Sequence, residues 1–121
     1  MGSRWYTIVI DAADPKALGR WWARVLDWKV TFEDEDETDV ASGVGPDRKE
    51  IEPFLTFVTL TEPKVSKNRL HIDLAPDDRD AEVERLLALG ATRADIGQGD
   101  DVTWVVLADP EGNEFCVLSA R

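Results

Sequence analysis

The sequence contains very little cysteine or histidine. Among its 121 residues there is one of each, Cys116 and His71. A single cysteine cannot form a disulfide within the chain, which is typical of a protein from a reducing compartment, so the expected location is the cytoplasm. A chain of this length can nevertheless bury a sufficient apolar core without disulfide or metal staples.

Basic residues and long apolar runs are also scarce. The chain has 14 basic residues against 25 acidic ones, a formal net charge of −11. Binding to nucleic acid or to an anionic membrane without sequence recognition needs basic patches, so we expect neither partner. No apolar run approaches the roughly 20 residues that a membrane-spanning helix needs. The hydrophobic fraction of 43 % is that of an ordinary globular protein.

Two stretches of the sequence share one pattern. Residues 7–14 align with residues 71–78 without a gap, and each stretch is an alternating run followed by small residues and an acidic helix start. This repetition predicts that the whole chain is a single domain of two similar units. We place the units at about residues 4–62 and 68–121, joined by a linker at residues 61–68.

The first unit predicts a strand, a helix and three further strands, and its opening residues 5–12 are rich in the β-branched and aromatic side chains of a strand. Asp14 is placed to cap a helix with Pro15 at its first position, where the missing N–H is not needed. The apolar stripe of this helix is Leu18, Trp21, Trp22, Val25 and Leu26. The further strands are expected at residues 29–32, 40–44 and 54–60. The acidic run at residues 33–39 is typical of a solvated hairpin tip, with cation binding as the alternative.

The second unit predicts the same order of elements. A strand at residues 70–75 precedes a helix that begins at residues 76–78 and ends before Gly90, a suitable residue just beyond a helix. The apolar stripe of this helix is Val83, Leu86 and Leu87. The further strands are expected at residues 91–96, 102–107 and 115–118. Residues 109–113 predict a tight turn in which Gly112 can adopt a positive φ.

An α+β fold follows from this order. In each βαβββ unit the helix covers one face of the sheet and leaves the other face open. Two such units side by side can curve their mixed sheets around a concave cavity, with the helices on the outer face, and this cavity is the expected ligand site. Strand alternation directs His71 and Asp73 toward the cavity, and it places Thr7, Val9 and Asp11 on a common face. The aromatic candidates for the cavity wall are Trp5, Phe57 and Trp104.

The chain resembles the vicinal oxygen chelate superfamily in its repeated βαβββ order, in the Asp-Pro helix start at residues 14–15 and in the Asp-Pro-Glu-Gly-Asn turn at residues 109–113. This superfamily includes glyoxalase I, extradiol dioxygenases, fosfomycin-resistance enzymes and bleomycin-binding proteins. Residues 68–74 and 113–118 are similar to its glyoxalase-like branch. The resemblance implies a small-molecule ligand in the concave cavity and a homodimer.

The enzymes of the superfamily hold a divalent metal with four side chains that share the concave face, one from the first and one from the last strand of each unit. By this resemblance, the corresponding positions in the present chain are Thr7, Thr59 (with Phe57 as the alternative), His71 and Cys116. Because only the histidine is a typical ligand of the family, we expect a protein that has lost its metal. If zinc, nickel, manganese or iron does bind, His71 and Cys116 would hold it, with Asp11 or Asp73 as a third donor.

Three kinds of function remain open. The expected one is metal-free binding of an apolar or aromatic small molecule in the cavity, as in the drug-sequestering members of the superfamily. The first alternative is an enzyme of the lyase, isomerase or dioxygenase type, which would use a metal or His71 as a general base. The second is an interaction domain without a ligand. We interpret Cys116 as a small buried apolar residue, with a nucleophile activated by His71 as the alternative.

Overall fold

The computed structural model describes residues 2–121 and has an α+β architecture. The chain divides into two compact units, of which the first ends at Glu62 and the second runs from Pro63 to Arg121. Each unit contains one helix and one four-stranded mixed sheet, so the prediction of two βαβββ units is confirmed. Neither helix of the described residues is long and apolar enough to cross a membrane.

The first unit consists of a mixed sheet and one helix. Its elements are β1 (Thr7–Ala12), α1 (Pro15–Leu26), β2 (Lys29–Glu33), β3 (Glu37–Ala41) and β4 (Phe54–Thr59). The strand order in the sheet is β1-β4-β3-β2. β1 runs parallel to β4, whereas β3 is antiparallel to both of its neighbours. The first and last strands of the unit therefore lie side by side.

The second unit repeats this topology with shorter strands. Its elements are β5 (Asp73–Leu74), α2 (Arg79–Ala88), β6 (Thr92–Arg93), β7 (Val105–Ala108) and β8 (Glu114–Val117). The strand order is β5-β8-β7-β6, with β5 parallel to β8. β5 is much shorter than the predicted strand at residues 70–75, so His71 lies in the segment that leads into β5.

Both helices begin on the capping signals that the sequence contains. The carboxylate of Asp14 accepts a hydrogen bond from the N–H of Ala17 at 3.1 Å, and that of Asp78 accepts one from the N–H of Ala81, also at 3.1 Å. The predicted stripe of α1 is buried at Leu18, Trp21, Trp22 and Val25 and partly exposed at Leu26. The predicted stripe of α2 is buried at Val83 and Leu86 and partly exposed at Leu87.

Helix α1 contacts the first sheet closely at Gly19. A Cβ atom on this glycine would lie 2.6 Å from Cγ2 of Thr38 and 3.3 Å from Cδ1 of Phe57. Thr38 in β3 and Phe57 in β4 are both completely buried. Because side chains alternate along a strand, the adjacent Asp39 and Thr56 point to the opposite face, which we call the helix-free face of the first unit.

The acidic run at residues 33–39 is only partly the solvated tip that the sequence predicts. The carboxylate of Asp34 accepts hydrogen bonds from the N–H groups of Asp36 and Glu37, both at 2.8 Å, and so closes the turn early. β3 therefore starts at Glu37 instead of residue 40, and it takes Thr38 and Asp39 into the sheet. Both of these side chains are buried, which corrects the prediction for the second half of the run.

Candidate functional site

The second unit brings together three side chains that can bind a metal or form hydrogen bonds, namely His71, Asp73 and Cys116. Each offers one metal-ligating or hydrogen-bonding atom, and these atoms all lie within 4.8 Å of one another. Nε2 of His71 lies 3.0 Å from Oδ1 of Asp73. We call this set the His71 cluster.

The pairing of β5 with β8 creates this cluster. Asp73 and Cys116 are register partners in the parallel ladder, and Cys116 donates its N–H to the carbonyl of Ile72 at 3.0 Å. His71 precedes Asp73 by two residues, so alternation of extended backbone puts both side chains on one side. The side chains of His71 and Asp73 are 39 % and 50 % exposed, whereas Cys116 is buried. A ligand can therefore reach the imidazole and the carboxylate more easily than the thiol.

The protonation of Cys116 argues against a nucleophilic role. Burial raises the pKa of the Cys116 thiol, and the charge of Asp73 and a hydrogen bond to that carboxylate raise it further. A thiolate is the reactive form of cysteine, so a thiol that keeps its proton at neutral pH is a poor nucleophile. These causes favour the interpretation of Cys116 as a buried group that donates a hydrogen bond to Asp73.

A polar network holds the segment before His71 against β8. Lys64 donates to Glu114 at 2.7 Å, and the N–H of Asn68 donates to the same carboxylate at 3.3 Å. The side chain of Asn68 also donates to Oδ1 of Asn113 at 3.0 Å. Burial alone would raise the pKa of Glu114, but Lys64 and the backbone donors hold this pKa below its ordinary value. Glu114 is thus an ionised partner of Lys64 and does not belong to the His71 cluster.

The site residues that the sequence predicts in the first unit lie on two opposite faces of its sheet. Thr7 in β1 donates to the carbonyl of Phe54 at 2.9 Å, and its hydroxyl lies 2.9 Å from that of Thr56. Thr7 therefore lies on the helix-free face, and alternation puts Val9 and Asp11 there too. Val9 is 58 % exposed, so it can contact a ligand.

Phe57 and Thr59 lie on the other face of the sheet. Phe57 is buried against α1 at Gly19. Thr59 follows it by two residues on β4, so its side chain points to the same face. Their assignment to the same face as Thr7 is therefore corrected. The physical reason is that the register of β4 beside β1 pairs Val9 with Thr56 and Ile10 with Phe57. Trp104, which is 39 % exposed, lies just before β7 instead of within a strand.

Asp39 is a buried acid that the sequence did not single out. Its side chain lies on the helix-free face, it is 8 % exposed, and its Oδ1 has no hydrogen-bond partner. Burial raises the pKa of Asp39 to about 6, the nearby carboxyls of Glu37 and Glu50 add to this shift, and a hydrogen bond with Thr56 opposes it. The spacing of Glu37 and Asp39 two residues apart was the available signal, but it becomes meaningful only once β3 is known to include both.

The raised pKa of Asp39 predicts a pH-dependent stability. The folded state holds this proton more tightly than the unfolded state, whose aspartate has an ordinary value of 3.8. The stabilisation is therefore present below that value and is lost as the pH rises through about 6. Relative to wild type, Asp39→Asn should gain about 1–2 kcal/mol in free energy of unfolding between about pH 4 and pH 7, measured by urea denaturation. A difference that does not change with pH would contradict the raised pKa.

Comparisons with known proteins place this fold and its sequence among glyoxalase-like proteins. No curated protein matches the sequence significantly. Among solved structures, the trypanothione-dependent glyoxalase I of Leishmania major is 18 % identical, with a TM-score of 0.68 over 98 % of this chain and 87 % of that one. The bleomycin-binding protein of Streptomyces verticillus, solved with copper(II)-bleomycin, is 18 % identical with a TM-score of 0.62 over 100 % and 99 %.

A third similar structure is a glyoxalase/bleomycin resistance protein/dioxygenase family enzyme from Burkholderia phytofirmans. It is 18 % identical with a TM-score of 0.63 over 92 % of this chain and 94 % of that one. At such identities these likenesses show the fold. The sequence pattern of the glyoxalase-like domain matches residues 7–118, nearly the full length. The chain therefore belongs to the glyoxalase-like domain family.

Proposed function

We propose that this protein binds a small molecule at the His71 cluster and that it does so without a resident metal. The observation that carries the proposal is the hydrogen bonding of Asp73, which is partnered both by His71 at 3.0 Å and by the thiol of Cys116. Each of the three groups is therefore satisfied by a neighbour while Cys116 keeps its proton. A carboxylate that orients an imidazole through Nε2 leaves Nδ1 as a hydrogen-bonding atom for a ligand.

The properties of the ligand are suggested by the surface around the candidate residues. Trp104, in the same unit as the His71 cluster, is a large apolar side chain that remains 39 % exposed. Such exposure supports an apolar or aromatic ligand, which would cover this side chain on binding. The similar fold of a protein solved with copper(II)-bleomycin is consistent with this ligand class.

Metal-dependent catalysis of the lyase, isomerase or dioxygenase type is the second candidate function. It is favoured by the donor set, since an imidazole, a carboxylate and a thiol within 4.8 Å of one another match the three protein ligands of a catalytic zinc site. His71, Asp73 and Cys116 would hold the ion. Bound zinc would supply a Lewis acid, and the raised pKa of Cys116 means that the thiol must lose its proton when the ion enters.

Two measurements on the full chain distinguish these functions. The first is elemental analysis of protein purified without chelators, for the wild type and for His71→Ala. The second is the fluorescence of N-phenyl-1-naphthylamine, a neutral aromatic probe, titrated with both proteins. We expect no stoichiometric metal, and saturable probe binding that His71→Ala weakens by about three- to tenfold through loss of a ligand contact.

Arg69→Ala is the matched control, because Arg69 is an exposed neighbour of His71 on the same segment. This control should bind the probe like the wild type. If elemental analysis finds stoichiometric zinc, nickel, manganese or iron in the wild type but not in His71→Ala, the first candidate function is refuted and the second is supported. If the wild type contains no stoichiometric metal and also shows no saturable binding of the probe, both candidate functions are refuted.

A further inference from the structure

The backbone ladder of the second sheet does not include His71. In the first unit the aligned residue, Thr7, lies inside a parallel ladder that covers all of β1. In the second unit β5 has only two residues, and the backbone hydrogen bond nearest to His71 is the one from Cys116 to the carbonyl of Ile72. The position of His71 therefore depends on how the residues before it are held.

Side chains hold this preceding segment, and we call its residues 64–68 the strap. Glu114, at the start of β8, accepts a hydrogen bond from Nζ of Lys64 through Oε1 at 2.7 Å and one from the N–H of Asn68 through Oε2 at 3.3 Å. The side chains of Lys64 and Glu114 are 28 % and 11 % exposed, so solvent screens this ion pair less than a pair on the open surface. One carboxylate thus fastens both ends of the strap to β8.

Asn68 is the end of the strap nearest to the His71 cluster. Besides its N–H, its side-chain amide donates a hydrogen bond to Oδ1 of Asn113 at 3.0 Å. Two residues separate Asn68 from His71, and one of them, Leu70, is 87 % exposed, so packing contributes little to holding this piece of chain. The hydrogen bonds of Asn68 and the start of β5 therefore fix His71 from either side.

We propose that Glu114 is a positioning residue for His71. By fastening the strap to β8, its carboxylate keeps the imidazole where Nε2 lies 3.0 Å from Oδ1 of Asp73. Glu114 acts through Asn68 and needs no contact with a ligand. The effect on ligand binding rests on the function proposed above, whereas the orientation of the ring can be measured without any ligand.

The ring of His71 can be observed without overlap, because the chain contains one histidine. In nuclear magnetic resonance the two nitrogens of an imidazole give separate ¹⁵N signals, which report the nitrogen that carries the proton. Asp73 accepts a hydrogen bond from Nε2, which favours a single tautomer with the proton on that atom. A ring that loses this partner exchanges between both tautomers and gives averaged signals. The spectrum therefore reports the position of the ring, which a measurement of stability does not.

The test compares the ring spectra of the full-length wild type, Glu114→Ala and Glu82→Ala at one fixed alkaline pH. Glu82 is the matched control, because it lies in the same unit and also uses both carboxylate oxygens, which accept from Arg85 at 2.7 and 2.9 Å. We expect the single tautomer in the wild type and in Glu82→Ala, and averaged signals in Glu114→Ala. Affinity for N-phenyl-1-naphthylamine should fall by about three- to tenfold in Glu114→Ala, as expected for His71→Ala, and should not change in Glu82→Ala.

Three spectra would overturn the proposal. They are averaged signals in the wild type, a single tautomer in Glu114→Ala, and averaged signals in Glu82→Ala as well. If circular dichroism shows that Glu114→Ala fails to fold, Lys64→Met and Lys64→Arg replace it. Methionine removes the ion pair and should move the ring signals towards the averaged position, whereas arginine keeps a cation for Glu114 and should preserve the single tautomer. Equal spectra for these two variants would overturn the proposal.

Failure of the proposed function gives a different pattern of results. If the ring spectra behave as expected and the wild type does not bind the probe, the positioning role of Glu114 is supported and the binding of a small molecule is contradicted. If Glu114→Ala loses the single tautomer and still binds the probe like the wild type, the contact between His71 and the ligand is contradicted. The ring spectra alone decide the positioning role.

Discussion

Replacing Asp109 with alanine is expected to lower the free energy of unfolding by about 2–4 kcal/mol. Asp109 is 3 % exposed, and its carboxylate organises the turn between β7 and β8. Oδ1 accepts the N–H groups of Glu111 and Asn113, both at 2.9 Å, and both carboxylate oxygens accept from the side-chain amide of Asn113. Alanine would remove the buried acceptor that all of these donors share, which explains the size of the expected loss.

The same turn supports the His71 cluster. Asn113, held by Asp109, accepts a hydrogen bond from Asn68 at 3.0 Å, and Asn68 lies three residues before His71. β8, which carries Cys116, begins directly after Asn113. Asp109→Ala should therefore also weaken any ligand or metal binding at the His71 cluster, even in the fraction of protein that remains folded.

Urea denaturation followed by circular dichroism measures the first effect, with two control variants. Asp109→Asn keeps an oxygen for the two backbone donors and should lose less than half as much stability as alanine. Asp95→Ala removes a comparable aspartate that accepts one hydrogen bond from Gly97 in an exposed loop, and it should stay within about 0.5–1 kcal/mol of the wild type. An equal loss in Asp95→Ala and Asp109→Ala would show that the buried carboxylate of Asp109 has no special role in stability.

The substitution Gly19→Ala, which adds one methyl group, should lower the free energy of unfolding by about 1–3 kcal/mol. Alanine is intrinsically better than glycine inside a helix by about 1 kcal/mol, so helix propensity alone predicts the opposite sign. Packing decides the outcome, because the new Cβ would lie 2.6 Å from Cγ2 and 3.2 Å from Cβ of Thr38 and 3.3 Å from Phe57. Both neighbours are completely buried, and the β-branched Thr38 has few rotamers into which it can move.

A double-mutant cycle with Thr38→Ser identifies this contact as the cause. Serine lacks the Cγ2 atom that the new methyl group would meet, while it keeps the hydroxyl of Thr38. Gly19→Ala should therefore cost much less in the Thr38→Ser background, with a coupling energy of about 1–2 kcal/mol in the free energies of unfolding. Additive effects of the two substitutions, or a stabilised Gly19→Ala, would mean that α1 moves away from the sheet easily.

Several of these features could be read from local sequence patterns. The apolar stripes and the caps at Asp14 and Asp78 determined both helices, because a helix start depends on residues within one turn of itself. The repeated order of elements in residues 7–14 and 71–78 indicated two equivalent units. The resemblance also selected the two residues, His71 and Cys116, that the structure brings together, although it left the third member of the cluster open between Asp11 and Asp73.

The tertiary structure decided which face of each strand carries the site. Alternation separates the side chains of β4 into two sets, but it does not say which set contacts α1. The register with β1 and the close approach at Gly19 put Phe57 under the helix and Thr56 beside Thr7. Asp39 escaped the sequence analysis for the same reason. Its acidic neighbours indicate a solvated turn, whereas burial is the main cause of its raised pKa. That burial depends on the pairing of β3 with β4, which places Asp39 opposite Thr56, a residue distant in sequence.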